Sequence, residues 1–407
     1  MQALKNVRIL DASHVIAGPF ASYQLALLGA SVTRIDRIDG SDFVRHLGGT
    51  DAMKKAGLGA SFMSQNAGKA CIQLNLKDPR GVEIFKKLAA DADVVIENFR
   101  PGILTRLGLG YEHIRSIQPD IIYCSLTGYG PAGPMADAPA YDHILQGHSG
   151  LMSTTGTPET GPLRVGLPIT DYIAGLNAAF AIVNALYHRK ITGEGQHLQV
   201  SMLASILSTM GAALVDHQTT GELPAPKGNQ PFSGSPFAGR FDTAEGQLVV
   251  TANTAQQTIN LLQVLGLTNL DEHRLAVDNH RSLTPAEREK ALTTLTTAFQ
   301  KRTAIEWENA LSAASVPASK VRHYDEILAH EQTRHIGALH EMPNPVDGGT
   351  LNVPGLGFYV GQPSPVDLVA PEKAGQSTKR ILLNASYNID QLRTLAREGV
   401  ISGEGLD

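Results

Sequence analysis

Asp171 is the residue of this 407-residue chain whose type and setting most directly suggest chemistry. It opens an apolar run to about His188, rich in small residues (Ala174, Gly175, Ala178, Ala179, Ala181), and Thr170 before it has a helix-capping side chain. A carboxylate in the first turn of such a helix is stabilised as the anion by the helix dipole and the free N–H groups there. Taken alone, that placement reads as an ordinary helix-start acid, and only the surrounding sequence gives it more.

Other constellations carry less. Asp36 and Arg37 end the second apolar strand, where a Rossmann protein keeps its ribose-binding acid, but the preceding turn reads Ser13-His14-Val15-Ile16-Ala17-Gly18-Pro19. Without GxGxxG the backbone lacks the glycines that let it approach a pyrophosphate, which argues against NAD. His330 and His335 are five apart, about 140° around a helix, and do not grip one metal ion as a four-residue spacing does. No GxSxG elbow is present for a serine hydrolase.

The elements that must position these residues alternate strand and helix. Val7 to Leu10, Ser31 to Ile35, Val94 to Ile96 and Ile121 to Leu126 read as short buried strands. Pro19 reads as a first helical residue before Phe20 to Leu28, and Asp78-Pro79 as an N-cap and N1. This order predicts a Rossmann-like α/β domain with a parallel sheet. Residues 1–222 form its first part. The Pro/Gly-rich residues 223–239 read as a linker and glycine-containing loop, residues 240–341 as an inserted smaller α+β domain, and residues 342–407 as a second linker and the return to the large domain.

Composition narrows the partners. Lys+Arg 34 against Asp+Glu 39, without a basic block, leaves no electrostatic footprint for nucleic acid. Cys71 and Cys124 give neither a disulfide framework nor a cysteine zinc site, which points to a reducing cytoplasm. The apolar run from Tyr172 to Tyr187 makes about 24 Å of helix against a hydrocarbon core of about 30 Å. Interrupted by Asn177 and Asn184, it reads as a buried helix and not a membrane span.

An ordered set of motifs runs nearly the whole length: DASHVIAGPFASYQLALLGASVTRIDR, NLKDPRG, NFRPG, TGYGPAGP, AYDHILQGHSGLM, RVGLPITDYIAGL, TGEGQHLQVSML, EWENALSAASVPASKV and APEKAGQST. Together they resemble the class III CoA-transferase family, to which α-methylacyl-CoA racemase is related. The resemblance implies that Asp171 is the nucleophile, passing through an aspartyl–acyl anhydride and an aspartyl-CoA thioester. It implies CoA contacts at His14, Ile16, Ala17, Arg37, Leu74, Asn75, Lys77, Asn98, Phe99, Arg100 and Arg106, with Tyr141 orienting the donor. Phosphates favour the arginine forks and lysine in that set. Acyl-CoA and a small carboxylic acid would be the substrates, with no metal or prosthetic group, and two chains would thread into an interlocked homodimer.

Two alternatives remain at this point. The racemase branch carries histidine where this chain has Tyr141, and His143 would share that face about 7 Å along if the segment were extended. A non-catalytic CoA-binding protein is the other. Formyl-CoA transferase has glutamine at the position of Ile16 and a run of glycines where residues 228–239 hold isolated ones, so a larger or dicarboxylic acid suits this chain as well as formate or oxalate.

Overall fold

A computed structural model describes residues 2–231, 234–267, 284–359, 361–362, 366 and 368–406. Phe232 and Ser233 of the expected loop, residues 268–283 of the expected small domain and parts of the second linker lie outside the described residues.

The chain forms two bodies. The larger contains residues 1–151, 164–222 and 330–407. Its strands are β1 (Arg8–Asp11), β2 (Ser31–Arg37), β3 (Ala70–Leu74), β4 (Val94–Glu97), β5 (Ile122–Thr127), β6 (Gln196–Ser201) and β7 (Ile401–Ser402). They make one sheet in the order β7-β3-β2-β1-β4-β5-β6, parallel except for β7. Strand order reverses between β1 and β4, which opens a crevice at their carboxyl ends.

Burial on both faces explains the near-continuous apolar strands. Leu10, Ile35, Ile72, Val95 and Tyr123 enter one core with helix Pro79–Ala89, and Ile9, Val32, Val94, Ile96, Ile122 and Cys124 enter the other. The second core is covered by α1 (Ala17–Leu27) and α4 (Ile169–Thr192), with α2 (Pro79–Ala89) on the first face and α3 (Asp142–His148) and α5 (Met202–Thr209) near the crevice.

Three details depart from the sequence reading. Helix α1 begins two residues before Pro19, which is tolerated because first-turn N–H groups have no intrahelical acceptor. Helix α4 begins at Ile169, and Thr170 does not cap it; Pro168 holds that position without a side-chain bond. The apolar run is only partly buried. Ala174, Gly175, Ala178, Ala179, Ile182 and Ala185 pack inward, while Leu176, Phe180, Val183, Tyr187 and Ile191 form an exposed stripe at helical spacing, with Phe180 75% exposed. By length and composition α4 could cross a membrane, but its inward half is a core seam of small residues.

Small residues on α4 permit a close crossing with α1. A Cβ on Gly175 would stand 2.6 Å from the Ala17 carbonyl oxygen. Asp171, one turn earlier, lies on the same face of α4.

The smaller body contains residues 152–163 and 223–329. Strands Ala238–Asp242, Gln247–Thr251 and Ala318–Lys320 form an antiparallel sheet with Gln247–Thr251 at its centre. Helices Ala255–Val264, Pro285–Phe299 and Ala304–Ala313 cover it, each opened by a capping box at Thr254, Thr284 or Thr303. Phe237, Phe241, Phe299 and Trp307 dominate its core. The first strand begins inside the stretch that composition marks as linker, because its proline and glycine content masks the two strand residues at its end.

Candidate functional site

The crevice at the carboxyl ends of β1, β4 and β5 holds a cavity of about 250 Å³. The loop after β1 supplies Ile16, the start of α1 supplies Ala17, the loop after β4 supplies Asn98, Phe99 and Arg100, and the start of α3 supplies Tyr141. Asp171 from the first turn of α4 and Met202 from the start of α5 complete this side. Seven of the residues singled out by sequence therefore meet in one cavity. Asp171 is the single carboxylate among its lining residues, and Arg100 the single cation.

The two loops are fastened across the crevice. The His14 N–H donates to Asn98 Oδ1 at 2.9 Å, and Asn98 Nδ2 donates to the His14 carbonyl at 2.7 Å. The His14 ring meets Phe99 edge-on, with centroids 5.9 Å apart. Burial, and secondarily Arg34, lowers the His14 pKa, and its Nε2 is buried without a partner among the described residues. Glu97 fixes the β4 loop by accepting the Phe99 N–H at 2.8 Å, and burial pushes its carboxyl up to about 7.

Val15 takes φ 69°, a left-handed conformation that a β-branched residue adopts only under constraint. Its carbonyl accepts from Gln65 Nε2 at 3.1 Å, and its N–H donates to Asp42 Oδ2 at 3.4 Å. Behind this turn lies a buried charge cluster. Lys69 Nζ donates to Asp11 Oδ2 at 3.3 Å and to the Pro19 carbonyl at 2.7 Å, Arg34 Nε reaches Asp36 at 2.9 Å, and Arg45 Nη2 reaches Asp36 at 2.6 Å. Arg34 also pairs with Asp42.

The remaining candidates do not line the cavity. Arg37 ends β2 and pairs with Asp39 at 2.7 Å, and its ladder partner is Leu74 at the buried end of β3. Asn75 bonds the backbone of Val400 and Gly399, Lys77 is exposed, and Arg106 ends the short exposed turn Ile103–Arg106. Arg37, Leu74, Asn75 and Lys77 thus share the carboxyl edge of β2 and β3, adjoining the crevice strands.

Asp171 differs electrostatically from the sequence expectation. Burial first, and the negative charge of Asp142 second, push its carboxyl up to about 7, so the helix start does not hold it as an ordinary anion. The sequence reading assigned nothing to Asp142. The signal was there in its spacing from Gln146, which puts both on one helix face. His143 is also corrected: it lies in the first turn of helix α3, with Tyr141 at the position before it, so the two do not share the face of an extended segment.

The family model described as CoA-transferase family III matches residues 4–378. Succinyl-CoA:glutarate CoA-transferase of Mus musculus is 34% identical over 403 residues, covering 98% of this chain and 91% of the relative. Acetyl-CoA:oxalate CoA-transferase of Acetobacter aceti is 35% identical over 329 residues, covering 80% and 82%. Among solved structures, a CAIB/BAIF family protein from Brucella suis superposes with TM-score 0.80 at 26% identity, covering 94% of this chain and 99% of that one. A parallel sheet with its crevice at the strand-order reversal, a motif order kept from end to end and these matches lead to one assignment: the chain belongs to CoA-transferase family III and is a CoA-transferase.

Proposed function

We propose that the protein transfers CoA between small organic acids through Asp171. The Asp171 carboxylate attacks the acyl-CoA thioester carbonyl, forming an aspartyl–acyl anhydride and releasing CoA thiolate. The thiolate adds to the aspartyl carbonyl, giving an aspartyl-CoA thioester and the donor's free carboxylate. The acceptor carboxylate then attacks that thioester, and the first two steps run in reverse to give its acyl-CoA. One thioester forms for each one broken, so the cycle needs no external energy source.

The observation that carries this reading is Asp171 as the sole carboxylate among the residues lining the crevice cavity, with its carboxyl largely withdrawn from water. Limited hydration strengthens a carboxylate nucleophile and slows hydrolysis of the anhydride. Ile16, Ala17, Asn98 and Phe99 would flank the thiol-bearing arm, with Tyr141 orienting the donor. Arg100 and Arg106 would bind phosphate, His14 would hold the β4 loop, and the edge formed by Arg37, Leu74, Asn75 and Lys77 would take the adenosine end. The relatives' named partners include glutarate and oxalate, which supports dicarboxylates as the first acids to try.

The same proposal includes an interlocked homodimer and a cytoplasmic location. The apolar stripe on α4 offers a face for a second copy, and buried Cys71 and Cys124 are free thiols. Racemase chemistry loses support, since Tyr141 offers no base of histidine type and does not share the face of an extended segment with His143.

Asp171→Ala should lower kcat by at least about 10³-fold. Intact-protein mass spectrometry of quenched turnover mixtures should show a CoA adduct on the native enzyme and none on the variant. Hydroxylamine should inactivate only enzyme exposed to acyl-CoA. Native enzyme turning over without an adduct would remove the covalent mechanism.

A further inference from the structure

Resting on that role for Asp171, we propose that Asp142 is a positioning residue for the transfer: held by Thr170 and Gln146, it fixes the start of α4 and places a second carboxylate beside that of Asp171.

Asp142 is buried at the first turn of α3, only 8% exposed. Its Oδ1 accepts from the Thr170 N–H at 2.7 Å and from Thr170 Oγ1 at 2.6 Å, and its Oδ2 accepts from Gln146 Nε2 at 2.7 Å. Gln146 extends the grip. Its Oε1 accepts the Val165 N–H at 2.8 Å, and its Nε2 also reaches the Leu167 carbonyl at 3.3 Å. Three points of the 165–170 segment are thereby fixed immediately before Asp171. Helix α4 has no side-chain cap of its own, so the Asp142–Gln146 pair does from α3 what a cap does locally.

The charge matters as much as the grip. Asp142 is satisfied by an amide N–H, a hydroxyl and a carboxamide, and no cation pairs with it among the described residues. Those three donors satisfy its oxygens as dipoles and bring no counter-charge, whereas an arginine would cancel its field. The other ionisable groups around Asp171 are few. Tyr172 adjoins it, and Tyr141 and Arg100 line the cavity. Helix α5 contributes no ionisable residue, and the one on α1, Tyr23, donates to the Pro354 carbonyl. After burial, Asp142 is therefore the nearby negative charge that opposes ionisation of Asp171. A carboxylate that holds its proton more tightly is a better nucleophile once ionised.

The test compares native enzyme with Asp142→Asn and Gln146→Leu. The readouts are the pH profile of kcat/KM for acyl-CoA, the separate kcat and KM values, and adduct mass. Native activity should rise through an acid limb near pH 7. In Asp142→Asn the limb should move down by about one pH unit or more, and kcat on the alkaline plateau should fall about tenfold. KM for acyl-CoA should change less than about threefold, because neither residue lines the CoA cavity. Gln146→Leu keeps the charge and loses the grip on Val165, so its limb should stay while kcat falls. Folded Asp142→Asn that forms the adduct with an unmoved limb would overturn the charge role while leaving Asp171 as nucleophile. Unchanged kcat in Gln146→Leu would overturn the positioning role, even if Asp142→Asn failed to fold. Absence of the adduct from native enzyme would instead remove the reading on which both depend.

Discussion

Two groups of aspartates lie in the larger body, one fully buried and one, Asp142 with the partly buried Asp171, beside the crevice, and their surroundings give them opposite properties. Asp11, Asp36 and Asp42 share one cluster with Arg34, Arg45 and Lys69. Burial pushes Asp11 up, but Lys69 and Arg34, with the Ser13 and Ser22 hydroxyls, outweigh it and hold the carboxyl below its usual range. Asp171 has burial without that compensation, and its charged neighbour Asp142 is of the same sign. Charge matching, more than burial, decides whether a buried carboxylate is a structural fixture or a reactive group.

The largest expected effect tests the matched cluster. Lys69→Met keeps the volume but leaves Asp11 without its nearest ammonium and the Pro19 carbonyl with only the Ser22 hydroxyl as side-chain donor. Removing one partner of a buried pair costs about 3–5 kcal/mol. Denaturant melts should show that loss, and a shift under about 1 kcal/mol would mean that Arg34 and the serines suffice for Asp11.

Asp171→Asn should do the reverse, stabilising the fold while abolishing transfer. The carboxyl binds its proton more tightly folded than unfolded, so ionisation costs stability progressively as pH rises from about 4 to about 7. The amide removes that cost. The gain should be near zero below pH 4 and on the order of 1–3 kcal/mol above pH 7, reduced by water reaching the cavity. Asp11 has the opposite sign: its contribution is present above about pH 4 and declines as pH falls below that. Melts of native enzyme and variant across pH 4–8 isolate Asp171, because the Asp11 contribution changes only below that range. A constant difference between them would break the contrast.

The sheet was largely legible because β1, β2, β4 and β5 are apolar runs that alternate with helical patterns, a spacing that favours parallel pairing, whereas β3 was not read as a strand. Strand β7, two residues long, has no pattern of its own and exists through its pairing with Leu74 and Gln73. The cavity was legible only as an ordered set of motifs, since Ile16, Asn98 and Asp171 are 155 positions apart at the extremes and the strand-order reversal brings them together. Thr170 misled because a Thr before an apolar helix usually caps it, whereas here a carboxylate on α3 takes its hydroxyl. The charge cluster gave no local signal either. Arg34 and Asp36 are two apart on β2 and so share a face, but nothing in the sequence places Asp42, Arg45 and Lys69 beside them.

The smallest of these effects joins the two groups. Lys69 and Asp11 hold the start of α1 through the Pro19 carbonyl and Ser22, and α4 rests on that start where Gly175 approaches Ala17. Gly175→Ala favours the helix intrinsically by about 0.5–1 kcal/mol. Against this, the new Cβ would stand 2.6 Å from a backbone oxygen, and backbone held by a charge cluster yields less than a side chain would. Overpacking of this kind costs about 1–3 kcal/mol, so the steric term wins and the net loss should be about 1 kcal/mol. The catalytic loss should be larger than that figure suggests, because the displacement occurs one turn from Asp171 and changes its approach to a thioester bound against Ala17. Expected results are a kcat lowered by about tenfold or more, a KM little changed and a modest fall in Tm. Full activity in this variant would show that α1 and α4 adjust independently, and that the matched cluster does not set the geometry of the unmatched carboxylate.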